Sequence, residues 1–183
     1  MPWAAVLLIS LLFGAGDQYL GTTHVLVHTG EWASTVSNMS APWLVLPFVA
    51  GLTQRSGRRA AVVGLAATLA ALTGYFAMTL SPVEGVAFDQ ALAEVGPLLK
   101  VQVPWVLGGL ATGPIFGILG CRWRNDRASI SAFAVTGALA LEPAVWAAVG
   151  RRSGPPTAWA AEIVVGLSVA AILVTQRRTM AAR

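Results

Sequence analysis

Two glutamates sit inside long apolar stretches, Glu142 in the run from about 130 to 149 and Glu162 in the run from about 158 to 176. An acidic side chain at the middle of a membrane-crossing helix costs about 2.5–3.5 kcal/mol on insertion scales. Such groups face a bundle interior or a wet cavity, where they bind a solute or ion or satisfy freed backbone. Four-residue spacing puts Glu162 on one helical face with Ala158, Gly166 and Ala170, and Glu142 on one face with Ala134 and Ala138. Both acids are therefore expected on small, packable faces, away from lipid.

Other polar and aromatic residues are expected at the same depth. Asp17 and Gln18 lie near the end of the first apolar run, and Asn38 and Trp43 open the second. Tyr75 comes near the end of the third, Trp105 opens the fourth, and Trp146 is one turn beyond Glu142. The expectation is a pocket open to the outside, with Glu142, Glu162, Asp17, Asn38, Trp43, Tyr75 and Trp105 as its ligand-binding residues. Acidic and aromatic groups together suit a small cationic or heteroaromatic solute, through charge pairing and stacking. Two structural readings compete. Trp and Tyr are enriched at the interfaces of any membrane protein. The carboxylates can also be neutral and bonded to backbone freed by Pro143, or paired with Arg151 or Arg152.

The remaining chemistry-bearing residues carry less. His24, His28 and Glu31 fall at i, i+4 and i+7, a spacing that suits zinc on a helix, but three residues at an exposed helix end do not define a site. Cys121 beside Arg122 reads as an inert boundary thiol; as the single cysteine it can form no intramolecular disulfide. Asn38-Met39-Ser40 fits a glycosylation sequon, which has no meaning in a bacterial protein. No phosphate loop, nucleophile elbow, zincin motif or CxxC pair is present. Neither an enzyme, a metal nor a cofactor is therefore expected.

The elements that must position these residues are membrane helices. The chain has 183 residues, 56% hydrophobic and only 11% charged, with a mean hydropathy of +0.68. A soluble domain carries about 25% charged residues, and disorder needs low hydrophobicity. Both classes are excluded. Continuous Ala- and Leu-rich runs also argue against the period-two alternation of a β-barrel. A helix needs about 20 apolar residues to cross the hydrocarbon core. The expectation is an all-α bundle forming one transmembrane domain over 1–183, with spans at about 3–23, 37–53, 60–80, 103–120, 130–149 and 158–176. The first is expected to be retained, because no Lys or Arg precedes Arg55 to make the positive start of a signal peptide. The sequence pI of 10.2 reflects arginines clustered at span ends, so nucleic acid is not an expected partner.

Arg55, Arg58, Arg59, Arg122, Arg124, Arg127, Arg177, Arg178 and Arg183 fall on one side of this topology, while Lys100, Arg151 and Arg152 fall on the other. The positive-inside rule then places both termini in the cytoplasm. Glu31, Glu84, Asp89 and Glu94 fall outside. The outer loop from 81 to 100 repeats Phe88, Leu92, Val95 and Leu99 at helical spacing, which fits a short interfacial helix or an extension of span four. Between helices in lipid, small residues permit close approach. Gly109, Gly113 and Gly117 in span four, and Ala66, Ala70 and Gly74 in span three, are expected to be packing faces. The glycine row of span four is also the face on which another membrane subunit would dock. Pro114 and Pro143 each remove a backbone donor and favour a kink.

Asn38 followed by Pro42-Trp43, then Gly74-Tyr75-Phe76, Trp105, Gly113-Pro114 with Gly117, and Glu142 together carry a resemblance. The chain resembles an uncharacterised family of small six-helix integral membrane proteins, mainly actinobacterial, over about Leu12 to Val174. The family pattern has Asn-Ser-Gly after span one and Gly-Tyr-Tyr ending span three, where this chain has Asn38-Met39-Ser40 and Gly74-Tyr75-Phe76. The resemblance implies a multi-pass protein of a bacterial cell membrane and brings no activity with it. In architecture alone the expected bundle also looks like the substrate-binding components of energy-coupling-factor vitamin transporters.

Overall fold

The computed structural model describes residues 3–22, 31–37, 39–126, 129–148 and 155–181. These residues form helices and no strand. The α-helices are α1 (Trp3–Leu20), α2 (Glu31–Ser37), α3 (Ala41–Leu52), α4 (Gly57–Thr79), α5 (Ala91–Asp126), α6 (Ser129–Ala148) and α7 (Pro156–Ala181), with a 3-10 turn at Pro82–Glu84. Three segments, Trp3–Leu20, Gly57–Thr79 and Ala91–Asn125, are long and apolar enough to cross a membrane. Shorter apolar helices cover Ala41–Leu52, Phe133–Ala148 and Pro156–Ile172.

The distribution of side chains fits a molecule solvated by lipid. Leu8, Leu12, Val62, Leu107, Phe133, Leu141, Val164 and Leu167 are exposed, while Ser10, Thr68, Ser131 and Thr136 are buried. In lipid there is no drive to hide leucine, so small residues that let backbones meet take the interior. Two of these hydroxyls bond back into their own helix, Ser10 Oγ to Val6 O at 2.8 Å and Thr68 Oγ1 to Gly64 O at 3.1 Å, while Ser131 Oγ has no partner among the described residues.

Helix α4 is the hub, packed against α1, α3 and α5. Its crossings are set by glycine. A methyl built on Gly14 would overlap the carbonyl of Ala71, and one on Gly74 would overlap that of Leu11, so α1 and α4 touch backbone to backbone. Across the α4–α5 contact, Gly64 meets Gly113 and Gly117, Gly117 meets Ala60, and Gly109 meets Thr68. Gly51 of α3 closes on Gly117 and Gly120 on Phe48. The row Gly109–Gly113–Gly117 thus holds this chain's own helices together. On α4 the buried set is Ala60, Val63, Gly64, Ala67, Thr68, Ala71 and Gly74. Gly74 packs where expected, whereas Ala66 and Ala70 are only half-buried. Contact with three helices at once rotates the buried surface one residue away from the simple four-residue row.

One boundary differs from the sequence expectation. Of the span expected over 37–53, the helix is α3 at Ala41–Leu52; Ser37 is the last residue of α2, and Met39 and Ser40 are not helical. At 12 residues, α3 is about 18 Å long, against a hydrocarbon core of about 30 Å. Of the two readings of the 81–100 loop, the structure forms the extension of span four: 91–99 are continuous with the rest of α5, which runs through Pro97, Pro104 and Pro114, and no independent interfacial helix is formed there. Pro143 likewise lies inside α6. His24, His28, Arg127, Arg151, Arg152 and Arg183 lie outside the described residues.

Candidate functional site

A short helix has the same number of unpaired end groups as a long one, so α3 needs partners at both ends. Its start shows where they come from. Glu142 of α6 accepts the backbone N–H of Ser40 at 2.5 Å and that of Ala41 at 2.6 Å. The next residue, Pro42, has no N–H, and Trp43 N–H bonds Ser40 O at 3.1 Å. Every donor of the first turn is therefore accounted for. Trp146, one turn along α6, donates Nε1–H to the same carboxylate at 2.9 Å. At the other end, Arg124 of α5 donates to Leu52 O at 3.0 Å. A negative group at the N-terminus and a positive group at the C-terminus both oppose the helix dipole. Distant parts of the chain thus fix α3 in place, and with it Trp43.

Trp43 stands in one wall of a cavity of about 480 Å³. Its indole Nε1–H donates to Asp17 at 3.2 Å. Its ring meets Phe13 edge-on at 5.5 Å between centroids, and Tyr75 edge-on at 6.1 Å. Tyr75 in turn meets Phe76 at 5.7 Å. Ser37, Met39, Ser40 and Leu44 complete that wall; Thr68 and Leu72 of α4 face Gln102, Trp105, Val106, Gly109 and Thr112 of α5. Gln102 lies beside the Tyr75 hydroxyl. Trp105 is 57% exposed and stands at the rim.

The chemistry of the cavity follows from that lining. Among the described residues that line it, Asp17 is the acidic group and none is Lys or Arg. A carboxylate offers about four acceptor positions, and Trp43 uses one of those on Asp17. Three aromatic residues besides Trp105 line it, with hydroxyls and one amide between them. The volume lies in the range of small-molecule pockets, about 300–1,000 Å³. An organic cation of modest size fits that combination, charge to Asp17 and apolar body to the rings.

Of the residues singled out in the sequence, Asp17, Trp43, Tyr75 and Trp105 line this cavity together. Asn38 lies outside the described residues. Glu142 and Glu162 are not in the lining. They are buried behind it, 8% and 6% exposed, and Ser40 connects the two places by lining the cavity while bonding Glu142. Glu162 sits on the buried Ala158–Gly166 side of α7, as its spacing implied. Gln102 was missed because span four was drawn from 103. Its place three residues before Trp105 put both on one helical face. Thr68 and Thr112 were missed because they sit within glycine- and alanine-rich faces that read as pure packing.

A family model described as a family of unknown function (DUF6518) matches residues 1–183, and the chain belongs to that family. No curated protein and no solved structure matches the chain.

Proposed function

We propose that this member of the DUF6518 family is a polytopic membrane protein that binds one small organic cation, as a solute-binding or transport subunit. The observation that carries the reading is the cavity: about 480 Å³, lined by Asp17, Trp43, Tyr75 and Phe76, with no basic side chain among the described residues of its lining. Six helical segments cross or enter the bilayer of a bacterial cell, α3 as a short buried segment, with both termini on the cytoplasmic side. The cavity then opens outward. Asp17 binds the charge, Trp43 and Tyr75 pack the body, and Gln102 and Thr112 select polar substituents. The short helix α3 beside the cavity supports this, because short helices with buried ends line solute sites in many transporters. The glycine row of α5 is filled by α3 and α4, so no specific observation favours docking of another subunit there.

The test is a thermal-shift screen of the detergent-purified protein against amines, vitamins and neutral isosteres of each amine, repeated with Asp17→Asn. Stabilisation by cations and not by their isosteres, lost in the variant, supports the reading. Equal stabilisation of wild type and variant removes Asp17 from the site.

A further inference from the structure

Behind the cavity wall, two carboxyls lie close together. Glu162 is one turn before Gly166 on α7, and Gly166 packs on Leu139 and Ala140 of α6, which sets Glu162 beside Glu142. Glu142 has three donors, Ser40 N–H, Ala41 N–H and Trp146 Nε1–H. Glu162, more than nine-tenths buried, has none: neither of its oxygens has a hydrogen-bond partner among the described residues. Isolated buried charge is costly and two like charges side by side are more so. Polar groups in such a place are paired or hold an ion.

Among the described residues, which do not include Arg151 and Arg152 between α6 and α7, no partner of that kind comes from the surrounding helices. α6 packs on α7, α3 and α5, and α7 also touches α2. α3 contains no titratable residue. That of α2 is Glu31, whose side chain lies outside the described residues. On α5, Glu94, Lys100 and Arg122 are exposed, Arg124 is bonded at the far end of α3, Cys121 is beside Asn125, and the side chain of Asp126 lies outside the described residues. On α7 the arginines come four turns beyond Glu162. Neither carboxyl makes an ion pair among the described residues.

We propose that the Glu142–Glu162 pair is a site for a single monovalent inorganic cation, a proton or an alkali-metal ion, held between the two carboxyl groups. The donors on Glu142 hold one carboxylate in place, and the cation joins the second to it. Filling the site ties α7 to the group that caps α3. The site is separate from the cavity and does not depend on what the cavity binds.

The test uses the full chain, purified in detergent. Its unfolding midpoint is followed with sodium chloride or with magnesium chloride of equal ionic strength at fixed pH, and across pH with magnesium chloride alone. The wild type is expected to gain at least about 4 °C on filling the site, and Glu162→Gln to lose that gain. A sodium response at fixed pH identifies an alkali-metal ion; an acid response without sodium identifies a proton. A variant that keeps the wild-type response to both, or a wild type that responds to neither, overturns the proposal. Should Glu162→Gln fail to fold, wild type alone decides. A hydrophobic carbodiimide, which adds to protonated carboxyls, is used to label it and the product is mapped by mass spectrometry. Label on Glu162 suppressed by sodium or by alkali supports the site. Label unchanged by either overturns it.

Discussion

Replacing Glu142 by Ala removes the acceptor of three N–H groups in one step. The donors are Ser40 N–H at 2.5 Å, Ala41 N–H at 2.6 Å and Trp146 Nε1–H at 2.9 Å. A buried donor left unpaired costs about 1–3 kcal/mol, so the three together reach about 3–9 kcal/mol. Two effects reduce that sum. Water can enter the space vacated by the side chain and bond the freed donors. The variant also no longer holds two acidic groups in contact in a poorly solvated place. A net loss of about 2–5 kcal/mol follows. For a chain of this size each kcal/mol moves the midpoint by about 2–4 °C, so Glu142→Ala is expected to melt roughly 5–15 °C below wild type. Glu142→Gln keeps one acceptor oxygen but turns an NH₂ toward one backbone donor, and is expected between the two. The assay is scanning fluorimetry of all three proteins in one detergent. A Glu142→Ala protein melting within about 2 °C of wild type would refute the reasoning, because the α3 start would then not need its cap.

Glycine positions give a sharper contrast. Gly117→Leu forces a side chain into the backbone of Ala60 and Gly64 and is expected to abolish a monodisperse folded peak on size exclusion. Gly16→Ala and Gly137→Ala, where a methyl meets nothing within 4 Å, are expected to hold or raise the midpoint, since alanine favours helix by up to about 1 kcal/mol. Trp43→Phe loses the 3.2 Å bond to Asp17 but keeps a ring between Phe13 and Tyr75. It is expected to melt about 1–6 °C lower and still bind the cation that stabilises wild type, as read by thermal shift. Arg124→Ala frees Leu52 O at the exposed end of α3 and is expected to cost no more than about 1 kcal/mol, read as a small midpoint shift.

The helical class and the apolar segments were legible in composition and run length, because a bilayer demands both in every crossing segment. So was the gathering of Asp17, Trp43, Tyr75 and Trp105, since alternating helix direction brings those ends together. The placement of Glu142 was not. Its carboxyl reaches across about a hundred positions to Ser40 and Ala41, and nothing near 142 in the sequence indicates that a helix starts there. Nor did hydropathy show that the second helix starts only at Ala41, leaving Met39 and Ser40 outside it. Pro42 marks that start only once the missing donors are counted. Ala66 and Ala70 show a third limit. A four-residue row identifies a face that can pack, but which face does pack on α4 depends on three neighbours.

The central claim is that Asp17 is the charge-binding group of a solute cavity. Equilibrium dialysis of the most stabilising organic cation against wild type and Asp17→Asn tests it directly. The account predicts one cation per chain, with affinity reduced at least about tenfold in the variant, the loss of about 1.4 kcal/mol or more that removing a charged hydrogen-bond partner entails. A cation that binds both proteins equally, or no saturable cation binding to wild type at all, would contradict it.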